Sequence, residues 1–257
     1  MTHPWFEGAG TPRVLAHRGL VTPEDAADGM VENSFAAVAA AHAAGVTYVE
    51  SDCHLTADGQ VVLFHDSDLQ RVAGDPRALA EVTLRELEDL MGDRGGLITL
   101  AQALDAFPAL RFNIDVKADA AARPAGEIIG RFGDRVLLTS FSDRRRSAAL
   151  AAAASRGRVP ATSGGRATII RALAAVRTGL RPALRRTLTG VDALQVPESE
   201  GPVKIVTRRF VEAAHRNGVE VHVWTVNDPG DMRRLVALGV DGIVTDRADV
   251  ALATLHA

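Results

Sequence analysis

Short apolar, β-branched runs alternate with longer stretches of helical periodicity along nearly the whole chain. Apolar runs of about four to eight residues are typical of buried strands, whereas apolar positions three and four residues apart are typical of helices. The predicted strands are residues 14–17, 47–54, 111–116, 136–139, 157–161, 191–196, 219–225 and 241–245. The predicted helices between them include residues 34–44, 100–106, 120–131, 207–217 and 229–238.

This alternation predicts the fold class. Strands that alternate with helices are typical of parallel sheets with crossover helices. About eight such units, with no internal repeat or linker between them, favour a closed barrel over an open sheet, and 257 residues is an ordinary length for one barrel. We therefore predict an α/β protein that forms a single (β/α)8 TIM barrel, with one domain over residues 1–257.

Local signals at the ends of elements support this division of the chain. Asp228 precedes Pro229, an arrangement typical of the N-cap and the first position of a helix. Residues 56–60 contain an Asp-Gly pair, which predicts a tight turn. This turn would join residues 53–55 to residues 61–64 as a small β-hairpin arm after the second strand.

Composition and charge narrow the class of protein. Hydrophobic residues make up 47% of the chain and charged residues 24%, a balance that excludes a disordered protein. The net charge of −3 predicts no general affinity for nucleic acid or for anionic membranes. No apolar run approaches the roughly 18 residues of a membrane helix, and residues 1–8 lack the features of a signal peptide. Because Cys53 is the only cysteine, we expect a protein of the reducing cytoplasm.

One region departs from this average composition. Eleven arginines and no acidic residue lie between Arg144 and Thr187. In the simplest interpretation they cover the solvent-facing side of two or three barrel helices. A second hypothesis is a surface that binds anionic headgroups or an acidic partner. The sequence alone favours the first interpretation.

Polar side chains cluster at the predicted carboxyl ends of the first three strands, where the active sites of TIM barrels lie. The cluster consists of His17, Arg18, Glu50, Asp52, His54, His65, Asp66, Asn113, Asp115 and Lys117. Such a set suits phosphoryl chemistry, because arginine and lysine can hold phosphate oxygens and two histidines can divide the roles of general acid and base.

The carboxylates of this cluster predict a metal site. Side chains alternate across a strand, so Glu50 and Asp52 share one face, and Asp115 lies on the corresponding face of the next strand. Three carboxylates this close repel one another unless a cation compensates them, and an all-oxygen set suits Mg²⁺ or Ca²⁺ better than zinc. The carboxylates could instead form buried ion pairs with Arg18 or Lys117.

Eight short motifs occur in a fixed order along the chain. They are His-Arg-Gly at 17–19, Glu-Asn-Ser at 32–34, a Glu-x-Asp block with Thr-x-Asp-Gly at 50–59, His-Asp at 65–66, Asn-Ile-Asp-Val-Lys at 113–117, Ser-Phe at 140–141, Val-Trp-Thr-Val-Asn at 223–227 and Gly-Val-Asp-Gly-Ile-Val-Thr-Asp at 239–246. Each motif is modest alone. The ordered set is highly specific, and it resembles the glycerophosphodiester phosphodiesterase family.

The resemblance implies a reaction and a role for each matching residue. The reaction is hydrolysis of a glycerophosphodiester to glycerol 3-phosphate and an alcohol, with one divalent cation as cofactor. The implied residues are His17 and His65 as general acid and base, Glu50, Asp52 and Asp115 as metal ligands, Arg18 and Lys117 as phosphate contacts, and Phe141 and Trp224 as an apolar wall beside the glycerol moiety.

Two features depart from the family pattern. The third metal ligand is usually Glu, and Asp115 is shorter by one methylene, which leaves room for a water between carboxylate and metal. Residues 20–31 form a longer segment than usual, which we expect to cover the mouth of the barrel.

Several alternatives stay open on the sequence. A lysophospholipase D type of reaction would use the same barrel and metal on a lysophospholipid, and the arginine-rich region would suit it. A non-catalytic barrel that binds a phosphate ligand would not need the two histidines. A metal-dependent sugar isomerase would not need the paired His-Arg-Gly and His-Asp motifs. We expect a small-molecule substrate and no nucleic acid, and the sequence does not specify the oligomeric state.

Overall fold

The structure is a computed structural model that describes residues 3–8 and 10–256. Its strands are β1 (Arg13–His17), β2 (Tyr48–Leu55), β3 (Val61–Leu63), β4 (Arg111–Val116), β5 (Val136–Thr139), β6 (Ala161–Thr162), β7 (Ala193–Pro197), β8 (Ser199–Glu200), β9 (Val203–Lys204), β10 (Glu220–Trp224) and β11 (Gly242–Thr245).

The α-helices follow the strands on the outside of the sheet. They are α1 (Pro23–Ala27), α2 (Phe35–Ala43), α3 (Gln70–Ala73), α4 (Leu84–Met91), α5 (Leu100–Ala106), α6 (Asp119–Ile129), α7 (Asp143–Ala154), α8 (Arg166–Thr178), α9 (Arg181–Leu188), α10 (Arg208–His215), α11 (Pro229–Ala237) and α12 (Ala248–Leu255). Short 3₁₀ turns span Pro4–Phe6, Leu79–Glu81, Gly92–Arg94 and Gly133–Arg135. Within the described residues, none of these helices is long and apolar enough to cross a bilayer.

Eight parallel strands form a nearly closed barrel, so the predicted TIM barrel is confirmed. The order around the barrel is β1–β2–β4–β5–β6 on one side and β1–β11–β10–β7 on the other. β11 closes onto β1, with Arg13 beside Gly242 and Ala16 beside Thr245. Between β6 and β7 a single parallel bridge, from Ser163 to Ala193, completes the ring.

The hairpin arm is also present where the sequence predicts it. β3 runs antiparallel to the end of β2, with Cys53 opposite Leu63 and Leu55 opposite Val61. The chain between β3 and α5 then packs around a second apolar cluster beside the barrel. This arm cluster consists of Val62, Phe64, Leu69, Leu79, Val82, Leu87 and Met91.

The fifth predicted strand lies too early in the sequence. Residues 157–161 were expected in the strand, but β6 covers only Ala161–Thr162, and Val159 is 56% exposed. Gly157 has a φ of +108°, which turns the chain away from the end of α7 and leaves Val159 in the connecting loop. The apolar, β-branched Val159 is therefore a loop residue.

The amino-terminal end of the barrel is filled by the 3₁₀ turn Pro4–Phe6. Trp5 is fully buried, packs with inward-facing side chains of the barrel, and donates its indole N–H to the carbonyl of Phe112 at 3.0 Å. Next to it, Arg13 forms a bidentate pair with Glu220 at 2.9 and 2.8 Å, which ties β1 to β10 across β11. These contacts close one end of the barrel and leave the opposite end open.

Candidate active site

A strained turn at the end of β1 places Arg18 against β2. Arg18 has a φ of +59°, a region that non-glycine residues rarely adopt, and its amide donates to the carbonyl of Glu50 at 2.7 Å. Gly19 follows at +89°, and a Cβ there would lie 2.6 Å from the backbone of Ala37. The turn directs the guanidinium of Arg18 to Asp52, with Nε 3.1 Å from Oδ2.

Asn33, the middle residue of the Glu-Asn-Ser motif, holds Ser51 and Asp52 of β2 in position. It is buried, and its backbone also adopts a left-handed conformation, with φ of +58°. Its amide Nδ2 donates to Asp52 Oδ2 at 3.3 Å, and its Oδ1 accepts from the hydroxyl of Ser51 at 2.6 Å. The sequence identified this residue as part of a motif without assigning it a contact.

The register of β2 against β4 brings the three predicted ligands together. Asp52 lies directly beside Asp115, and Glu50 lies beside Asn113. All three carboxylates are buried and line the same cavity. The ammonium of Lys117 lies 2.9 Å from Asp52 and 2.7 Å from Asp115. The ion pairs that the sequence left as an alternative are therefore present.

Burial, together with the crowding of these acids, raises the pKa of two of them. Burial, reinforced by the nearby charge of Asp52, raises the pKa of Glu50 to about 8. Burial likewise raises the pKa of Asp115, although the charge of Lys117 opposes the shift. Two carboxyl groups whose charged forms are destabilised in this way would gain from additional positive charge.

Unsatisfied oxygen atoms at the same place fit a hard cation. Among the described residues, the set as it stands does not form a closed ligand group, and the ammonium of Lys117 contacts two of its members. However, Oε2 of Glu50, Oδ1 of Asp115 and Oδ1 of Asn113 are buried and accept no hydrogen bond from any described residue. Buried acceptors without donors are costly, and an all-oxygen donor set is what Mg²⁺ and Ca²⁺ prefer.

His17 is oriented by a carboxylate from the last strand. Its Nδ1 lies 2.6 Å from Oδ1 of Asp246, and its Nε2 lies 3.8 Å from Glu50. Asp246 is in turn held by Asn227, whose Nδ2 donates to it at 2.8 Å. Burial alone would lower the pKa of His17, but the hydrogen bond to Asp246 and the charge of Glu50 outweigh burial and raise it above its ordinary value.

His65, on the arm, has a matching arrangement. Its Nδ1 lies 2.6 Å from Oδ1 of Asp66, and Arg71 donates to the same carboxylate at 2.6 Å. Arg71 also pairs with Glu32 at 2.6 Å and so links the arm to the segment before α2. Although burial opposes the shift, the hydrogen bonds from Arg71 and His65 lower the pKa of Asp66, which keeps this carboxylate ionised. His54 points out of the cavity and contacts the carbonyl of His65 at 3.1 Å.

The nine residues to which the family resemblance gives a role all line one cavity of about 580 Å³ at the open end of the barrel. One end of the cavity is polar and contains the histidines, the carboxylates, Arg18 and Lys117. The other end is mostly apolar, with the side chains of Phe141, Ile169, Ile170, Leu173, Pro197, Ile205 and Trp224, although Arg166, Ser199 and Glu200 also line the cavity. The rings of Phe141 and Trp224 meet edge to face at 5.8 Å. The cavity therefore suits an amphipathic molecule with one anionic group.

The segment 20–31 does not take the position that the sequence predicts. It contains α1, which begins with a capping box between Thr22 and Asp25. None of residues 21–31 lines the large cavity. Val21 instead borders a second cavity of about 240 Å³ beside His17 and Arg18. The segment therefore does not cover the mouth of the barrel; it lies beside the turn that contains His17 and Arg18.

Comparison with known proteins agrees with this geometry. The sequence model of the "Glycerophosphoryl diester phosphodiesterase family" matches residues 17–250. "Probable glycerophosphodiester phosphodiesterase 2" of Mycobacterium tuberculosis is 35% identical over 239 residues, which cover 92% of this chain and 88% of that protein. A human lysophospholipase D is 22% identical and covers 90% of this chain and 82% of its own length.

Solved structures share the fold. A glycerophosphodiester phosphodiesterase from Thermotoga maritima superposes with a TM-score of 0.70, at 24% identity, over 96% of this chain and 99% of that one. A phosphodiesterase from Oleispira antarctica, in complex with the product sn-glycerol-3-phosphate, gives a TM-score of 0.72 at 20% identity, over 96% and 98%. The match to the family model spans the site from His17 to Asp246 and confirms the resemblance of the ordered motifs. The chain belongs to the glycerophosphoryl diester phosphodiesterase family of enzymes.

Proposed function

We propose that the protein hydrolyses a glycerophosphodiester to glycerol 3-phosphate and an alcohol. The observation that carries this proposal is that two histidines, each held by a carboxylate, line one cavity with Arg18, Lys117 and three buried acids. Family membership supports the reaction class and argues against a non-catalytic barrel and a sugar isomerase.

His17 and His65 act as the general acid and the general base. Contacts of both Nδ1 atoms with aspartates leave each Nε2 available to the substrate. One histidine takes the proton of the attacking hydroxyl, which belongs to water or to the free glycerol hydroxyl beside the phosphate; in the second case a cyclic phosphate forms, and water then opens it to glycerol 3-phosphate. The other gives a proton to the leaving alkoxide. The geometry allows either assignment of these two roles.

Glu50, Asp52 and Asp115 hold one divalent cation, Mg²⁺ or Ca²⁺. When bound, the cation supplies positive charge that stabilises the phosphoryl oxygens. The unsatisfied oxygens of Glu50 and Asp115 support this assignment. Arg18 and Lys117, which pair with the same carboxylates, bind the phosphate oxygens through their positive charge. Phe141 and Trp224 form the apolar wall beside the glycerol moiety.

A lysophospholipase D reaction is the second candidate. The apolar end of the cavity includes Ile169, Ile170 and Leu173 of α8 in addition to Phe141 and Trp224, and such a lining suits an acyl chain. The similarity to a human lysophospholipase D agrees with this candidate. The two candidate reactions cleave the same kind of phosphodiester bond. Their substrates differ in whether the glycerol moiety carries an acyl chain.

We also infer that residues 1–257 act as one domain in the cytoplasm on a small-molecule substrate. Site residues from His17 to Asp246 come from one barrel, which supports a single domain. The only cysteine, Cys53, is a buried free thiol, which suits a reducing compartment.

The decisive experiment is a substrate panel in which glycerol 3-phosphate is detected. Water-soluble glycerophosphodiesters are compared with lysophospholipids, each with and without Mg²⁺ or Ca²⁺. We expect turnover that chelation abolishes and a divalent cation restores. Release of no glycerol 3-phosphate or lysophosphatidate from any diester would contradict the proposed function, and full activity after exhaustive chelation would contradict the metal site.

A pair of variants tests the third ligand. Asp115→Glu restores the residue usual in the family and should bind metal at least as well as the unaltered protein. Asp115→Ala should weaken metal binding by about 10–100-fold or more. Metal titration by calorimetry measures both, and equal titration curves for the unaltered protein and the Ala variant would show that Asp115 is no ligand.

A further inference from the structure

In the described chain, five of the eleven arginines between Arg144 and Thr187 have no acidic side chain as a partner. Six of its eleven arginines form ion pairs, and these are Arg144, Arg145, Arg146, Arg156, Arg158 and Arg166. The simple interpretation of a solvated face accounts for them. In the described chain, the other five have no carboxylate partner, and all five lie on α8 and α9: Arg171, Arg177, Arg181, Arg185 and Arg186.

The same two helices expose large apolar side chains. Ile170 on α8 and Leu180 before α9 are each 56% exposed, and all five unpaired arginines are exposed. An exposed apolar residue among basic residues is typical of helices that lie on a membrane surface, where the apolar side chain enters the lipid and the basic ones contact anionic headgroups. Ile170 and Leu180 are the apolar side chains that such a surface would insert into the lipid.

The α8 helix also connects this face to the cavity. Ile169, Ile170 and Leu173 line the apolar end of the cavity, so Ile170 belongs to both surfaces. Arg171 follows Ile170 directly, and Arg177, seven residues after Ile170, lies about two turns along on the same side of α8 as Ile170. A lipid surface in contact with α8 would therefore border the apolar end of the cavity.

We propose that the α8–α9 surface, formed by Ile170, Leu180 and the five unpaired arginines, docks the enzyme on a bilayer that contains anionic phospholipids. The chain as a whole has a net charge of −3, so the attraction depends on the local concentration of positive charge. This surface is separate from the catalytic groups. The proposal does not depend on which diester is cleaved.

Vesicle sedimentation tests the proposal. The protein is mixed with vesicles of phosphatidylcholine, with or without phosphatidylglycerol, at low and at high salt. We expect binding to the anionic vesicles alone, weakened by salt. The triple variant Arg171→Gln, Arg177→Gln and Arg181→Gln should bind roughly 100-fold more weakly, because each basic residue near an anionic surface contributes about fivefold. Failure of the unaltered protein to bind would overturn the proposal.

A matched control separates the surface from net charge. The variant Arg85→Gln, Arg131→Gln and Arg233→Gln removes three exposed arginines without carboxylate partners from other parts of the described chain. It should bind vesicles like the unaltered protein, and equal loss in both triple variants would overturn the proposal. Leu180→Ser should weaken binding even though every arginine is kept. If it does not, and duplex DNA competes fully for the surface, a polyanion is the partner instead of a bilayer.

Turnover of a water-soluble glycerophosphodiester is measured in parallel. The triple variant on α8 and α9 should stay within a few-fold of the unaltered protein, since none of its three arginines lines the cavity. Loss of vesicle binding with soluble turnover intact supports the docking surface. Intact binding by the triple variant would contradict it, whatever the outcome for the proposed reaction.

Discussion

Each histidine in the cavity is the end of a chain of polar contacts. Asn227 holds Asp246, which holds His17, and Arg71 holds Asp66, which holds His65. Such support fixes the ring orientation that proton transfer requires. The two chains come from different parts of the fold, since Asn227 and Asp246 follow β10 and β11, whereas Asp66 and Arg71 lie on the arm.

Replacing either histidine tests the proposed acid–base pair. His17→Ala and His65→Ala should each lower kcat by about 10²–10⁴-fold, because each removes one proton transfer. Since both act in one displacement, the double variant should be little worse than either single one. Steady-state kinetics measure this, with metal titration as the control for an intact site. A single variant that keeps kcat near that of the unaltered protein and both limbs of the pH–rate profile would refute the assignment.

Asp246→Asn probes the charge beside His17. The hydrogen bond to this carboxylate helps to raise the pKa of His17, so its loss lowers that pKa. The limb of the pH–rate profile that belongs to His17 should therefore move to lower pH, whether His17 is the acid or the base. The same limb should disappear in His17→Ala. An unchanged profile in Asp246→Asn would show that Asp246 has no influence on His17.

Sequence reasoning found the residues of the cavity but not their supports. All nine residues to which the family resemblance gives a role line one cavity. The sequence predicts this because side chains alternate along β2 and β4, and because active sites of TIM barrels lie at the carboxyl ends of the strands. The contact from His17 to Asp246 spans 229 residues, and neither spacing nor periodicity reveals such a pair. Arg71 lies outside every motif. His54 was grouped with the site, but the end of β2 bends into the arm and takes it away from the cavity.

Among the elements, those with strong local signals were predicted best. Asp228 caps α11 as expected, and Ser34 and Thr207 cap α2 and α10 in the same way, because a side-chain oxygen that accepts an amide hydrogen needs no tertiary context. β6 was misplaced because two residues carry too weak a pattern, and their pairing depends on β5. The arm cluster was not predicted, since its apolar residues follow neither period for long.

The arm depends on Arg71 for its position against the barrel. Arg71→Gln removes the bridge from Asp66 to Glu32 that joins α3 to the segment before α2. We expect kcat to fall by up to about 100-fold, because a small displacement of His65 is costly, while KM and metal affinity change little. Arg71→Lys should recover part of the loss. A proportional rise in KM with constant kcat would indicate a substrate contact instead.

On the scale of the whole barrel, stability depends on the closed end. Arg13 and His222 hold Glu220, and against the effect of burial their hydrogen bonds and charges lower the pKa of its carboxyl from 4.5 to about 2. Because the folded pKa is the lower one, this stabilisation is complete above about pH 4.5 and disappears as the pH falls towards 2.

Glu220→Gln should therefore destabilise the protein at neutral pH by up to roughly 3 kcal/mol and have less effect in acid. Thermal unfolding across the acid range measures the difference. Glu212→Gln is the control, because Glu212 is exposed and its pair with Arg216 is long, at 3.9 Å. A constant difference between Glu220→Gln and the unaltered protein at every pH would contradict the role of the charged carboxyl.

The pairing of β1 with β11 also fixes when the enzyme can first work. A ribosome synthesises β1 first among the barrel strands, but its partner on one side, β11, is the last of those strands to be made. Until then the nascent chain carries an open sheet edge at β1, the kind of surface that mispairs or recruits chaperones. His17 meets Asp246 only when that edge is covered. Catalytic competence and protection from aggregation therefore arrive together, once β11 has been synthesised and has paired with β1.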